Sequence, residues 1–471
     1  MRARRFTTGG TLPMVGSSIG IGLVALSGYV FIAVVGRLYD RPGALAPTAF
    51  YFLVTTVVLG VCLGLEQATN RRTAFALASG ADIRRVVLLA IGDGVRLVVV
   101  TAALLCAAIP VLVPRTLRGD VGLFVALVAG LVASAAATLV RGMLAGAQRF
   151  GAYAVAWCVE GLSRIAMLVG IAFVGHPPAW GLGWIYVLPF GLAAIAGAVA
   201  LLRGGLRGGR RGAPTATAPP STAAGTATGS GVAALAAAGV LTFAVANLPQ
   251  LILTSRDLAN APVVFAFTST FMLARMVMTA MGPLPSLLLP GMTAAVAAAD
   301  MGYLRRRLRL FTLGCVGVGL AWAAFITVTG PPLAEVMFAG PPTSRRLFLL
   351  LSLGTIALAT SFPVQVALIA LGRYRWVTVS WVAGVVTIAV IALWPSVTPI
   401  TAATLASIGG PGAVLLAMAL SVRRAMRSPN PPAQSGPAGS GPAGSGPVRS
   451  GAAEPGPADR PAAQASPAPR A

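Results

Sequence analysis

Twelve stretches of this chain are apolar for long enough to cross a lipid bilayer, and this repetition leaves room for little else. A crossing helix needs about 20 apolar residues, because hydrocarbon offers no hydrogen bonds and the backbone must satisfy itself within one segment. The stretches fall near 12–35, 47–66, 87–113, 121–147, 151–174, 179–202, 232–254, 262–290, 311–332, 347–371, 376–394 and 401–422. Composition agrees: 56% of the 471 residues are hydrophobic and 10% charged, against about 25% charged in soluble domains. The fold class is therefore all-α integral membrane protein, without a large soluble domain.

Two segments break the pattern. Residues 203–231 are a Gly/Pro/Ala/Thr linker, and 428–471 a Pro/Gly/Ser/Ala tail in which Ser-Gly-Pro-Ala-Gly recurs from Ser435. Neither can bury a core, so both are expected to be disordered. The chain thus divides into an N-terminal six-helix lobe (1–202), a cytoplasmic linker (203–231), a C-terminal six-helix lobe (232–427) and a cytoplasmic tail (428–471). The basic start, Met1 to Arg5, looks like a signal peptide. The run 12–35 is too long for a signal h-region and lacks a small-residue cleavage site, so it is the first membrane helix. An internal repeat is suggested by the exit Leu144-Ala-Gly-Ala-Gln-Arg-Phe150 and its counterpart Ile369-Ala-Leu-Gly-Arg-Tyr-Arg-Trp376.

All 35 basic residues are Arg, the codon bias of a GC-rich genome and a pointer to a high-GC bacterium. The net charge of +24 does not indicate nucleic acid, because the arginines sit in short runs between apolar stretches. Arginine collects in alternate loops, as expected for cytoplasmic ends. One set holds Arg2, Arg4 and Arg5; Arg71, Arg72, Arg84 and Arg85; Arg141 and Arg149; Arg203, Arg207, Arg210 and Arg211. It continues with Arg305, Arg306, Arg307 and Arg309, then Arg373 and Arg375, then Arg423, Arg424 and Arg427. The other set holds Arg37, Arg41, Arg115, Arg118, Arg256, Arg345 and Arg346. The sequence therefore predicts an even number of spans in the cytoplasmic membrane with both termini cytoplasmic.

Several chemistries are disfavoured. A Walker A loop needs a Lys, and there is none. The single histidine, His176, lies beside Pro177 and Pro178 in a short turn, which argues against metal or triad chemistry. The cysteines (Cys62, Cys106, Cys158, Cys315) show neither ligand nor disulfide spacing. The outer loops are short, which disfavours extracytoplasmic glycosyltransfer. No enzyme activity, metal or cofactor is expected.

What remains is charge deep in the spans, at about 2.5–3.5 kcal/mol per residue on insertion scales. Arg275 lies near the middle of 262–290 with no acid on its own helix. It faces either a partner carboxylate, Glu160 or Asp93 being candidates, or an anion in a cavity. Glu160 and Arg164, four apart, share a helical face and either neutralise each other or let Glu160 couple a proton or cation. Asp93 and Arg96, three apart, are a structural pair or part of a cavity wall. Glu66 and Arg71 read as interfacial charges. Proline is dense in Met281-Gly-Pro-Leu-Pro-Ser-Leu-Leu-Leu-Pro290, and Pro189, Pro249 and Pro363 interrupt other spans, as in the broken helices of transporters.

The chain resembles the polysaccharide-transporter and lipid-linked oligosaccharide flippase branch of the multidrug/oligosaccharidyl-lipid/polysaccharide (MOP) exporter superfamily. The residues that carry the resemblance are Leu65-Glu-Gln-Ala-Thr-Asn-Arg-Arg72, Arg141-Gly-Met-Leu-Ala-Gly-Ala-Gln-Arg-Phe150, the stretch from Arg275 to Pro290, and Ala370-Leu-Gly-Arg-Tyr374. The resemblance implies a MATE-like fold, two six-helix lobes around a central cavity that opens alternately to either side. In the related lipid II flippases cavity arginines hold the diphosphate of the lipid carrier, one of them on the eighth span, where Arg275 stands. The first-span arginines and the two extra helices of that group have no counterpart here, which favours another polyprenyl-linked glycan over lipid II. The expected substrate is a lipid-linked glycan bound by Arg275, with Arg96 as a second contact. Expected partners are membrane lipids and cell-envelope glycosyltransferases. A cation-coupled multidrug exporter and a non-transporting scaffold for glycan enzymes are the rival readings.

Overall fold

Among the described residues every regular element of the computed structural model is a helix, as the absence of water in a bilayer requires. The structure describes residues 11–80, 82–204, 229–256, 260–281, 284–298 and 300–427. Most of the linker and all of the tail 428–471 therefore lie outside the described residues. Among the described residues twelve helices are long and apolar enough to cross a membrane: α1 (Gly16–Leu38), α2 (Leu45–Leu77), α3 (Ile83–Ala107), α4 (Val121–Gly146), α5 (Phe150–Val174), α6 (Ala179–Arg203), α7 (Leu235–Arg256), α8 (Ala261–Thr279), α9 (Met301–Phe338), α10 (Arg345–Ala370), α11 (Tyr374–Leu393) and α12 (Pro399–Arg427).

Their ends alternate as the arginine pattern requires. Arg37 in the last turn of α1 and Arg41 just after it donate to the carbonyls of Val336 and Ala339 at the end of α9, and Arg256 at the end of α7 donates to Ala392 at the end of α11. At the opposite end Arg305, early in α9, donates to the carbonyl of Met426 near the end of α12.

The internal repeat is visible in the packing. In the first half α1 packs on α5, α2 on α4, α3 on α4, α4 on α6 and α5 on α6. In the second half α7 packs on α11, α8 on α10, α9 on α10, α10 on α12 and α11 on α12. Each helix number is raised by six. The halves meet most closely where α2 packs on α7, and again where α1 packs on α8 and α9; the α2–α7 and α1–α8 seams are related in the same way.

These seams differ. At α2–α7 the backbones touch: a Cβ added to Gly64 would run into the backbone of Ala236, and one added to Gly239 into the Gly60 carbonyl. Small residues at four-residue spacing permit such close crossings. At α1–α8 the equivalent place is open. Nothing stands within 4 Å of a Cβ added to Gly22, and a cavity of about 530 Å³ is lined by Ser18, Gly22, Leu26 and Tyr29 of α1, Met276, Val277 and Thr279 of α8, and Trp322 of α9.

Two interruptions position the site. A π-helical turn, Val54–Val58, breaks the regular ladder of α2. There Thr55 and Thr56 hydroxyls bond back to the carbonyls of Tyr51 and Phe52. The predicted span 262–290 is two helices: the one containing α8 ends at Met281, and a shorter one, Leu284–Ala297, follows the Gly-Pro-Leu-Pro sequence.

Candidate functional site

The two halves carry their deep charges in opposite ways. In the first half four charged side chains from three helices form one closed network. Glu160 of α5 is shared by two arginines, with Arg141 of α4 at 2.5 Å from one oxygen and Arg164 of α5 at 3.2 Å from the other. Arg141 also approaches Glu66 of α2 at 3.4 Å, without hydrogen-bond geometry, and the Tyr153 hydroxyl donates to Glu66 at 3.0 Å. Arg164 donates to the Tyr186 carbonyl at 3.0 Å and to the Ser27 hydroxyl at 3.2 Å. Aromatic faces complete the enclosure: Trp157 lies 3.8 Å from the Arg141 guanidinium, and Tyr186 and Phe190 lie 4.4 and 4.7 Å from that of Arg164. Arg141, Glu160 and Arg164 are all at most 2% exposed. Two arginines and two glutamates balance, as buried charges must.

This arrangement extends the expected Glu160–Arg164 pair and corrects two other expectations. Arg141, read as a cytoplasmic loop residue, is buried in the network. Glu66, read as interfacial, is another of its members. The signal in the sequence was the hairpin 147–149: Arg141 stands on one arm, flanked by Leu139, Val140, Met143 and Leu144, with Glu160 on the facing arm.

In the second half Arg275 of α8 has no carboxylate partner among the described residues. Glu160 has both oxygens occupied, and Asp93 is held by Arg72 at 2.5 Å, so neither candidate partner is available to it. The Arg275 guanidinium donates to the carbonyl of Ala246 on α7 and lies over the Phe271 ring, 4.0 Å from its centroid. It borders a cavity of about 450 Å³ whose polar lining comes from Tyr29, Tyr51, Thr55, Thr242, Asn247 and Thr279. No acid is among the lining residues. The Asn247 amide and Thr55 hydroxyl, 3.5 Å apart, bring α7 and the π turn of α2 to the same wall. This cavity and the α1–α8 cavity share Tyr29 and Thr279.

Arg96, expected as a second diphosphate contact, is not among the residues that line this cavity. Its side chain is 81% exposed on the outer face of α3, 4.0 Å from Asp93. The reason is that α3 is the most exposed of the twelve spans, packed mainly on α2 and α4 and touching the second half at α7. Among the described residues no group of His, Cys, Asp and Glu could hold a metal ion.

No protein-family model matches the chain, and no curated protein matches it either. Solved structures do. An inward-facing multidrug-resistance MATE transporter of the MOP superfamily superposes with a TM-score of 0.69 at 14% identity, covering 88% of this chain and 98% of its own. An outward-facing MATE transporter of the same superfamily gives 0.57 at 13% identity, with 88% and 95% covered. A MOP superfamily transporter from Pyrococcus furiosus, described by the reversed polarity of its binding pocket and a suggested different function, gives 0.57 at 12% identity with the same coverage. The chain therefore has the fold of the MATE transporters of the MOP superfamily.

Proposed function

We propose that this protein is a flippase that carries a polyprenyl-diphosphate-linked oligosaccharide, or a related cell-envelope glycan precursor, from the inner to the outer leaflet by alternating access. The observation that carries this reading is Arg275, a cation without a carboxylate partner among the described residues, beside a cavity lined by hydroxyls, an amide and aromatic rings. A planar guanidinium grips phosphate oxygens bidentately. Hydroxyl and amide groups suit sugar hydroxyls, and rings suit sugar faces. The neighbouring cavity between α1 and α8 is mostly apolar and gives a prenyl tail a path towards lipid. Glycosyltransferases of the cell envelope would supply the substrate and consume the product.

Alternating access is supported by the seams and by the ends of the helices. Arg37 and Arg41 join the first half to the C-terminal carbonyls of α9, where the helix dipole favours cations. Arg41 also lies over Phe265, 5.0 Å from the ring centroid. With both termini cytoplasmic, this latch closes the outer side, in keeping with the higher TM-score against the inward-facing MATE structure.

The second reading, a cation-coupled multidrug exporter, draws on the multidrug transporters among the similar structures, on the buried Glu160 and on the partly buried Glu66. Against it, both glutamates lie beside Arg141, and Glu160 has Arg164 as well. Purified protein in liposomes separates the two. Flipping of a fluorescent polyprenyl-diphosphate oligosaccharide, read as loss of protection from an impermeant reagent, is expected. Gradient-driven efflux of a cationic dye with no glycan-lipid flipping would establish the exporter instead.

A further inference from the structure

The first turns of α9, Met301-Gly-Tyr-Leu-Arg-Arg-Arg-Leu-Arg-Leu310, place four arginines in five positions. The helix has 38 residues, about 57 Å at 1.5 Å per residue, and so overruns a hydrocarbon core of about 30 Å. Its charged start therefore stands at the level of lipid headgroups. None of the four arginines enters an ion pair among the described residues. Arg307 is used within the protein: it bonds the Tyr303 hydroxyl and covers Gly291 of the helix Leu284–Ala297.

Arg305 and Arg309 are placed differently. Four residues apart on one face, they line a cleft of about 230 Å³ with Leu308, Thr312, Leu313 and Met426 from the last turn of α12. Both are exposed, and the described hydrogen bond of Arg305 is a long one, 3.4 Å to the Met426 carbonyl. The same helical face then turns apolar at once. Leu313 is 57% and Leu320 53% exposed, and between them nothing stands within 4 Å of a Cβ added to Gly314 or Gly317. A cationic cleft thus opens directly onto a shallow apolar trough. A soluble anion would need only the first; an amphiphile fits both.

We infer that the Arg305–Arg309 cleft binds the phosphate of an anionic phospholipid, with an acyl chain along Leu313, Gly317 and Leu320. Two guanidiniums four residues apart converge on one phosphate, and a basic cleft between membrane helices favours anionic headgroups. The site shares no lining residue with the Arg275 cavity, so the inference does not depend on what is transported.

Native mass spectrometry of the delipidated full-length protein, titrated with phosphatidylglycerol or phosphatidylcholine, tests it. Phosphatidylglycerol adducts should dominate, and R305Q/R309Q should weaken them roughly thirtyfold. R345Q/R346Q, an exposed pair at the other end of the bundle, should leave them unchanged. R309Q alone, at a side chain without a described bond, gives a partial loss if the double variant folds poorly. Equal binding of phosphatidylcholine, equal loss in R345Q/R346Q, or displacement of the lipid by excess inorganic phosphate would each overturn the inference, the last by assigning the cleft to a free anion.

Discussion

The deep arginines of the first half and the one at the centre of the second stand on helices that the repeat does not equate, α4 and α5 against α8, and have opposite surroundings. Arg141 and Arg164 are enclosed by Glu66, Glu160, three aromatic faces and a backbone carbonyl. Arg275 has one carbonyl, one ring and a cavity. The first arrangement has the satisfied pairing that a bilayer demands of structural charge, and it ties α2, α4 and α5 into one body. The second leaves a positive charge without a carboxylate partner among the described residues. Two helix pairs repeat this contrast, since the α2–α7 seam is shut backbone to backbone and the α1–α8 seam is open.

The comparison breaks most visibly if the network is not structural. Glu160→Gln strands two buried guanidiniums, and loss of one partner from such a cluster costs about 3–5 kcal/mol. We expect a collapse in membrane abundance and a lower unfolding temperature in detergent. Normal abundance with selective loss of transport would move Glu160 from the frame of the protein to its coupling machinery. Because Arg275 and Glu160 belong to separate sites, Glu160→Gln should not rescue Arg275→Ala; their effects should add.

Next in size is the contrast between the seams. Gly64→Leu must force apart the backbones of α2 and α7, an overpacking penalty of about 1–3 kcal/mol, whereas Gly22→Leu enters open space. Thermal unfolding of the two variants should differ accordingly, with Gly22→Leu slowing glycan-lipid flipping while leaving the fold intact. Equal destabilisation would mean that both seams are closed.

A smaller effect is expected at the latch. Arg37→Gln with Arg41→Gln removes charge-assisted bonds to the end of α9 and should shift the population of the outward-open state roughly tenfold. Labelling of a cysteine introduced at Asn247, in a background lacking the four native cysteines, reports this through its accessibility from outside. Unchanged labelling would show that other contacts hold that end. Smallest of all, Arg96→Leu replaces an exposed charge on the face of α3 and should leave flipping intact. Loss of flipping would return Arg96 to the substrate path.

The fold was legible because its cause is local. Runs of about twenty apolar residues and alternating arginines follow from the bilayer alone, so twelve spans and their alternation could be read residue by residue. The site was legible only in part. An Arg275 without an acid on its own helix stands out, but the nearest partners of Glu160 and Asp93, Arg141 and Arg72, lie on other helices, at sequence separations of 19 and 21. Spacing along one helix paired Arg96 with Asp93, and that pair is present at 4.0 Å, but packing adds Arg72 at 2.5 Å and leaves the Arg96 side chain exposed. Arg141 was misplaced for the same reason, since proximity to a loop says nothing about which way a helix face looks.

The central claim is that Arg275 neutralises the diphosphate of a lipid-linked glycan. Flipping of a labelled polyprenyl-diphosphate oligosaccharide by liposomes bearing wild-type, Arg275→Ala or Arg275→Lys protein measures it directly, with abundance and unfolding temperature read alongside. Arg275→Ala should abolish flipping in a fully inserted, stable protein, because removing a deep charge removes an insertion cost. Partial recovery is expected in Arg275→Lys, whose ammonium restores charge but not the bidentate grip. Wild-type flipping by the alanine variant, or a fall in flipping that only tracks a fall in abundance, would contradict that role for Arg275.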